Sequence, residues 1–105
     1  MNVANLENCK ELYELSGWQL DQHDRFWKIM PDGHGETQIG YGEFPAYDLG
    51  YLLRKIDQVA VEHYEGRWKA LHMTSSAGVV ADTPEDAACK LAIELFKAGV
   101  LERQL

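Results

Sequence analysis

The stretch from Asp82 to Gly99 constrains the fold of this chain more than any other. It reads Asp82-Thr83-Pro84-Glu85-Asp86-Ala87-Ala88-Cys89-Lys90-Leu91-Ala92-Ile93-Glu94-Leu95-Phe96-Lys97-Ala98-Gly99. Thr83 is suited to cap a helix, because its hydroxyl can accept from one of the unpaired N–H groups of the first turn. Pro84 costs nothing at the first helical position, where its missing N–H would have had no partner. Glu85 and Asp86 meet the positive end of the helix dipole. Asp86 stands where a capping box carries its acid, and is shorter than the usual Glu. Gly99 can take the left-handed backbone that stops a helix and lets Val100 and Leu101 fold back. Between these signals Ala88, Leu91, Ala92 and Leu95 form one stripe, with Cys89, Ile93 and Phe96 beside it. So wide an apolar arc predicts the most buried helix of the molecule. None of these residues performs chemistry.

The rest of the chain supplies two more helices and two strand pairs. Leu6 to Ser16 predicts a helix capped by Asn5, with Glu7 in its first turn and Gly17 as its stop. Its buried stripe is Leu6, Cys9, Leu12, Tyr13 and Leu15, and Trp18 should pack back on its end. Arg25 to Met30 reads as a strand, Pro31-Asp32-Gly33 as a turn, and Glu36 to Ile39 as a short returning strand. Asp48 caps a second helix whose face carries Leu49, Leu52, Leu53 and Ile56. Tyr47 and Leu52 take the positions of a hydrophobic staple. Val59 to Tyr64 and Arg67 to Met73 form a hairpin about Glu65-Gly66. That turn sets Tyr64 opposite Arg67, His63 opposite Trp68, and Glu62 opposite Lys69. It puts Val59, Val61, His63, Trp68, Ala70 and His72 on one face, and Ala60, Glu62, Tyr64, Arg67, Lys69 and Leu71 on a wetter one. Ser75 to Gly78 is a turn. The expectation is a single α+β domain over residues 1–105: a mostly antiparallel sheet of three to four strands packed with three helices, in the order αββαββα, sandwich-like.

The totals narrow the classes of function. With 105 residues and 46% hydrophobic content, the chain can bury a core without metal or disulfide staples. A formal net charge of -7 argues against a nucleic-acid binder, which shows a basic patch or stripe. No apolar run approaches the roughly 18 residues of a membrane span, and the first residues do not read as a secretory signal. The expected setting is a reducing cytoplasm. There Cys9 and Cys89 are read as buried thiols; a disulfide between them would need an oxidising compartment.

Candidate chemistry is thin. His23, His34, His63 and His72 show no metal-ligand spacing, and the hairpin register separates His63 from His72. No serine sits in a nucleophile elbow, and neither glycine pair, Gly33/Gly35 or Gly40/Gly42, leads from a strand straight into a helix. Asp32-Gly33-His34-Gly35-Glu36 places an imidazole between two acids and is the one loop that would serve a small-ligand site or an enzyme; the bland reading is a solvated turn. No catalytic residue, metal or cofactor is expected. The aromatic residues say more. Tyr41, Phe44, Tyr47 and Tyr51 cluster in the glycine-rich approach to the second helix. Such a group either covers the end of the sheet or serves as a protein interface. A homodimer is a further option, since a hairpin edge and an aromatic surface both invite a two-fold contact. The acidic balance also admits a DNA-mimicking inhibitor, if the carboxylates line one face.

Three segments carry a resemblance. They are Glu7-Asn8-Cys9-Lys10-Glu11-Leu12-Tyr13-Glu14-Leu15-Ser16-Gly17-Trp18, then Tyr47-Asp48-Leu49-Gly50-Tyr51-Leu52-Leu53-Arg54-Lys55-Ile56, then Ala81 to Ala92. Together the pattern resembles small uncharacterised phage and prophage proteins, and is similar to the phage helix-sheet-helix (ABA) sandwich domain. The start Asp82-Thr83-Pro84-Glu85-Asp86-Ala87 also resembles the last helix of HicB-like antitoxins. The phage resemblance implies a non-enzymatic accessory protein, acting in a bacterial cytoplasm by binding a host or phage protein. It implies no catalytic residues.

Overall fold

The computed structural model describes residues 2–20, 26–29, 36–40 and 44–103. The fold is α+β. In chain order its elements are α1 (Leu6–Ser16), β1 (Phe26–Ile29), β2 (Glu36–Gly40), β3 (Phe44–Pro45), α2 (Leu49–Lys55), β4 (Val59–Tyr64), β5 (Arg67–His72), β6 (Gly78–Ala81) and α3 (Pro84–Lys97).

Each helix begins and ends where its sequence signals place it. The Asn5 side chain accepts from the Asn8 N–H, Asp48 from Tyr51, and Thr83 from Asp86. Gly17 closes α1 at φ 68. Past α3, Gly99 at φ 76 reverses the chain. The N–H of Val100 reaches Leu95 O at 2.9 Å and that of Gly99 reaches Phe96 O at 3.2 Å, the paired bonds of a Schellman stop. Leu101 then packs against the core, while Val100 stays exposed.

The strands pair as two antiparallel three-stranded sheets, ordered β2-β1-β3 and β4-β5-β6. The expected single layer is therefore divided, and each half gains a strand: the short β3 before α2, and β6 before α3. The β4–β5 register is the one the turn dictates, with Tyr64 opposite Arg67, His63 opposite Trp68 and Val59 opposite His72. Glu65 and Gly66 both take positive φ, 49 and 81, the hand that matches the twist of flanking strands. The predicted turn at 31–33 lies outside the described residues.

The centre of the molecule is α3. It lies against β5 and β6, touches β4, and packs on both α1 and α2. Its Ala87, Ala88, Cys89, Leu91 and Ala92 are fully buried, together with Leu12 of α1, Leu52 of α2 and Ala70 of β5. Full burial of a leucine contributes about 1.5–3 kcal/mol, so this cluster carries most of the stability. Tyr47 and Leu52 are both wholly buried, as a staple requires. Leu53 departs from its predicted place and is 37% exposed. Only two turns long, α2 presents Leu52 and Ile56 to the core and leaves Leu53 at the margin.

Asp86 joins the starts of two helices. Its Oδ1 accepts from the Asn5 backbone N–H at 2.8 Å and from Asn8 Nδ2 at 3.0 Å, while Oδ2 accepts from the Thr83 hydroxyl at 3.1 Å. In an ordinary capping box the acid reaches back to its own N-cap. Here it serves the N-cap of α1, more than 80 residues earlier. One carboxylate thus lies between two positive helix ends, a favourable place for negative charge.

Candidate functional site

Two features of the described surface could engage another molecule. The first is an aromatic face where α1, β3 and α2 meet. Phe44 stands edge-on to Tyr13, with ring centroids 6.3 Å apart, and the Lys10 ammonium lies 5.5 Å from the Phe44 ring. Gln19 bridges onward: its Nε2 donates to the Tyr13 hydroxyl at 2.8 Å, and its carbonyl accepts from the Tyr51 hydroxyl at 2.8 Å. Lys55 lies 5.7 Å from the rings of both Tyr51 and Trp18. Tyr13, Trp18, Phe44 and Tyr51 are half-buried, and Lys10 and Lys55 are exposed. Each ring is therefore partly packed on the fold and partly open to solvent. A lysine over an aromatic face is held by the ring quadrupole, worth about 0.5–1 kcal/mol at exposed sites.

The four predicted interface residues divide. Phe44 and Tyr51 belong to this face. Tyr47 stacks beneath Tyr51, with centroids 5.4 Å apart, and is fully buried with its hydroxyl donating to Trp18 O at 2.7 Å. It supports the face and contributes no surface to it. Tyr41 lies outside the described residues. Lys10, Tyr13, Trp18 and Lys55 were not among the predicted interface residues, because Tyr13 reads as part of the buried stripe of α1 and Trp18 as packing on its end. The spacing of Lys10 and Tyr13, i and i+3, was the available signal that they share a side of the helix.

The second feature is an open groove of about 390 Å³ between α1, α3 and the edge strand β6. Val79 and Ile93 form its apolar floor, and Asn8, Glu11, Lys90, Glu94 and Lys97 its polar walls. Glu11 and Lys97 pair across it at 2.9 Å. That contact raises the Lys97 pKa, first through the hydrogen bond to Glu11 and then through its charge. These walls carry charges of both signs and no nucleophile.

Two of the described histidines take part in contacts within the fold. His72 is buried, and its Nδ1 accepts from the Ser75 backbone N–H at 3.3 Å and meets the Ser75 hydroxyl at 2.7 Å, closing the turn after β5. That network places the ring proton of the neutral form on Nε2. His63 packs edge-on to Trp68 across the hairpin, with ring centroids 5.2 Å apart. Of the loop acids and imidazole at 32–36, Asp32 and His34 lie outside the described residues, and Glu36 opens β2. Among the described residues, no three His, Cys, Asp or Glu side chains gather to hold a metal ion. Among them, too, no helix is long and apolar enough to cross a membrane.

Cys9 and Cys89 are free, fully buried thiols that face each other across the α1–α3 contact. Cys9 Sγ donates to Ala4 O at 3.3 Å and accepts from the Tyr47 N–H at 3.4 Å, and Cys89 Sγ donates to Asn8 O at 3.4 Å. The Cys89 thiol, and then the Tyr47 N–H, lower the Cys9 pKa against the opposing effect of burial. The neighbouring Cys9 thiol, first, and then burial raise Cys89 well above the usual thiol value. The Trp27 indole Nε1 is buried without a hydrogen-bond partner among the described residues, and its nearness adds only a weak further pull on Cys9. Compared with known proteins, the chain matches no family model, no curated protein and no solved structure.

Proposed function

We propose that this is a non-enzymatic accessory protein that works by binding another protein through the face formed by Tyr13, Trp18, Phe44 and Tyr51. The phage or prophage resemblance supplies its setting: a bacterial cytoplasm during infection or lysogeny, with a host or phage protein as the partner.

One observation carries the reading. Four half-buried aromatic rings stand about one junction, with Lys10 over Phe44 and Lys55 over both Trp18 and Tyr51. Protein interfaces are enriched in aromatic residues and depleted of lysine at their core, so the rings would form the centre and Lys10 and Lys55 the rim. The rings are also pre-positioned, since Gln19 and the buried Tyr47 fix the angle of Tyr51. Binding would then order few new side chains, which limits its entropic cost. In a chain of net charge -7, two lysines on this face favour a partner surface that carries acid at the matching rim.

Amine-reactive cross-linking of the complex captured from a bacterial host tests the proposal. Lys10 and Lys55 should carry the cross-links to the partner, and Phe44→Ala should lower their yield at least tenfold. Cross-links confined to Lys90 and Lys97 would move the interface to the groove and contradict the proposal.

A further inference from the structure

The placement of the two cysteines has a use that packing alone does not require. They lie at opposite ends of the sequence, yet Cys89 Sγ is 3.4 Å from the carbonyl oxygen of Asn8, the residue just before Cys9. The two thiols lie near enough to act on each other's acidity, and both side chains are wholly excluded from water. Ala4, Ala88 and Ala92 are buried in the same core cluster as the two cysteines. Small residues suit close approach of packed helices, which a disulfide requires, with Cα atoms about 4.4–6.8 Å apart.

We propose that Cys9 and Cys89 form an oxidation site for hydroperoxides, in which Cys9 is oxidised first and Cys89 resolves it, so that a disulfide fastens α1 to α3. The Cys9 sulfur attacks a peroxide oxygen and the O–O bond breaks. The leaving hydroxide takes the Cys9 proton as water, and Cys9 becomes a sulfenic acid. The Cys89 sulfur then attacks the Cys9 sulfur and the S–O bond breaks. The departing hydroxyl takes the Cys89 proton as a second water. Two thiols lose two electrons and two protons, and one hydrogen peroxide becomes two waters.

The order follows from the surroundings. The Cys9 sulfur accepts from the Tyr47 backbone N–H at 3.4 Å, which favours a thiolate there. Among the described residues no backbone N–H donates to the Cys89 sulfur, and Cys89 is the residue placed to resolve. Burial requires α1 to open briefly for peroxide to enter. That opening releases the Asp86 bonds to Asn5 and Asn8 and uncovers Leu12, so peroxide enters through a partial unfolding of α1 from α3. Once α1 recloses, the sulfenic acid faces the second thiol in a dry site, and the disulfide forms ahead of further oxidation.

The test exposes the reduced full-length chain to hydrogen peroxide without denaturant, blocks residual thiols after unfolding, and maps the peptides by mass. Met73, 58% exposed, serves as the internal gauge of dose through its sulfoxide. The expected result is one Cys9–Cys89 cross-link within a single chain, two hydrogens lighter and reversed by dithiothreitol. The melting temperature should rise by about 10 °C or more, because the closed loop is long. In the Cys89→Ser variant, Cys9 should stop as a sulfenic acid that dimedone traps. Both thiols remaining free while Met73 is oxidised, or links between chains, would overturn the proposal.

Discussion

Glu65 takes a backbone conformation that its own side chain disfavours. It sits at φ 49 in the β4–β5 turn, beside Gly66 at φ 81, and a residue with a Cβ loses roughly 1–2 kcal/mol in that region. Glu65→Asn keeps the turn and relieves part of that cost, so it should stabilise the protein by about 0.5–1 kcal/mol in urea unfolding. Tyr47 shows a different tension. Burial, chiefly, with a smaller contribution from Tyr51, pushes its phenol far above the usual value, against a weaker lowering by Ser16. A raised acid keeps its proton in the folded state while the unfolded chain loses it near pH 10. Its contribution is therefore complete below about pH 10 and declines above it, by about 1.4 kcal/mol per pH unit. Tyr47→Phe should cost about 1 kcal/mol at neutral pH, for the lost bond to Trp18 O, and should flatten the alkaline decline. Unfolding midpoints from pH 8 to pH 12 for both proteins give the answer. Tyr47 also shows where residue-level reading divides. Its position before Asp48 marks it as a staple, its aromatic neighbours mark it as interface, and the fold uses it as a staple.

At the scale of elements, Asp86 adds a polar link between α1 and α3 to their apolar packing, because it supplies three hydrogen bonds at two helix starts. Asp86→Ala leaves the Asn5 N–H, the Asn8 amide and the Thr83 hydroxyl without that acceptor. It should cost about 2–3 kcal/mol, measured by denaturant unfolding with an unchanged m-value. Asp86→Glu should recover little, since the geometry suits the shorter acid. That acid was visible in the sequence, but its partner was not: a capping box is a local pattern, and the Asn5 contact exists only once α1 and α3 have docked. The same limit explains the strands. The β4–β5 pairing was legible because the Glu65-Gly66 turn sets its register, and α3 because every signal is local. The β6 strand was not, because Gly78-Val79-Val80-Ala81 is too short to show a period and depends on pairing with β5. Division into two sheets is likewise a choice among strand partners, and nothing local records it.

For the whole molecule, apolar layering around α3 sets stability, while exposed ion pairs add little. Arg67–Asp82 at 3.0 Å and Glu11–Lys97 at 2.9 Å are both open to water, so raising the salt concentration should barely move the unfolding midpoint. Leu91→Ala, at the centre of the core, should cost about 2–5 kcal/mol by the same measurement. The division between core and aromatic face was only partly readable, since half-buried rings look alike in sequence whether they lean inward or outward. The most direct test of this division is to measure urea stability and partner capture together for Phe44→Ala. The account predicts a stability loss on the order of 1 kcal/mol with capture abolished, because a half-buried ring at the surface does little for the core. A variant that still captures its partner at wild-type level, or one that unfolds outright, would contradict it.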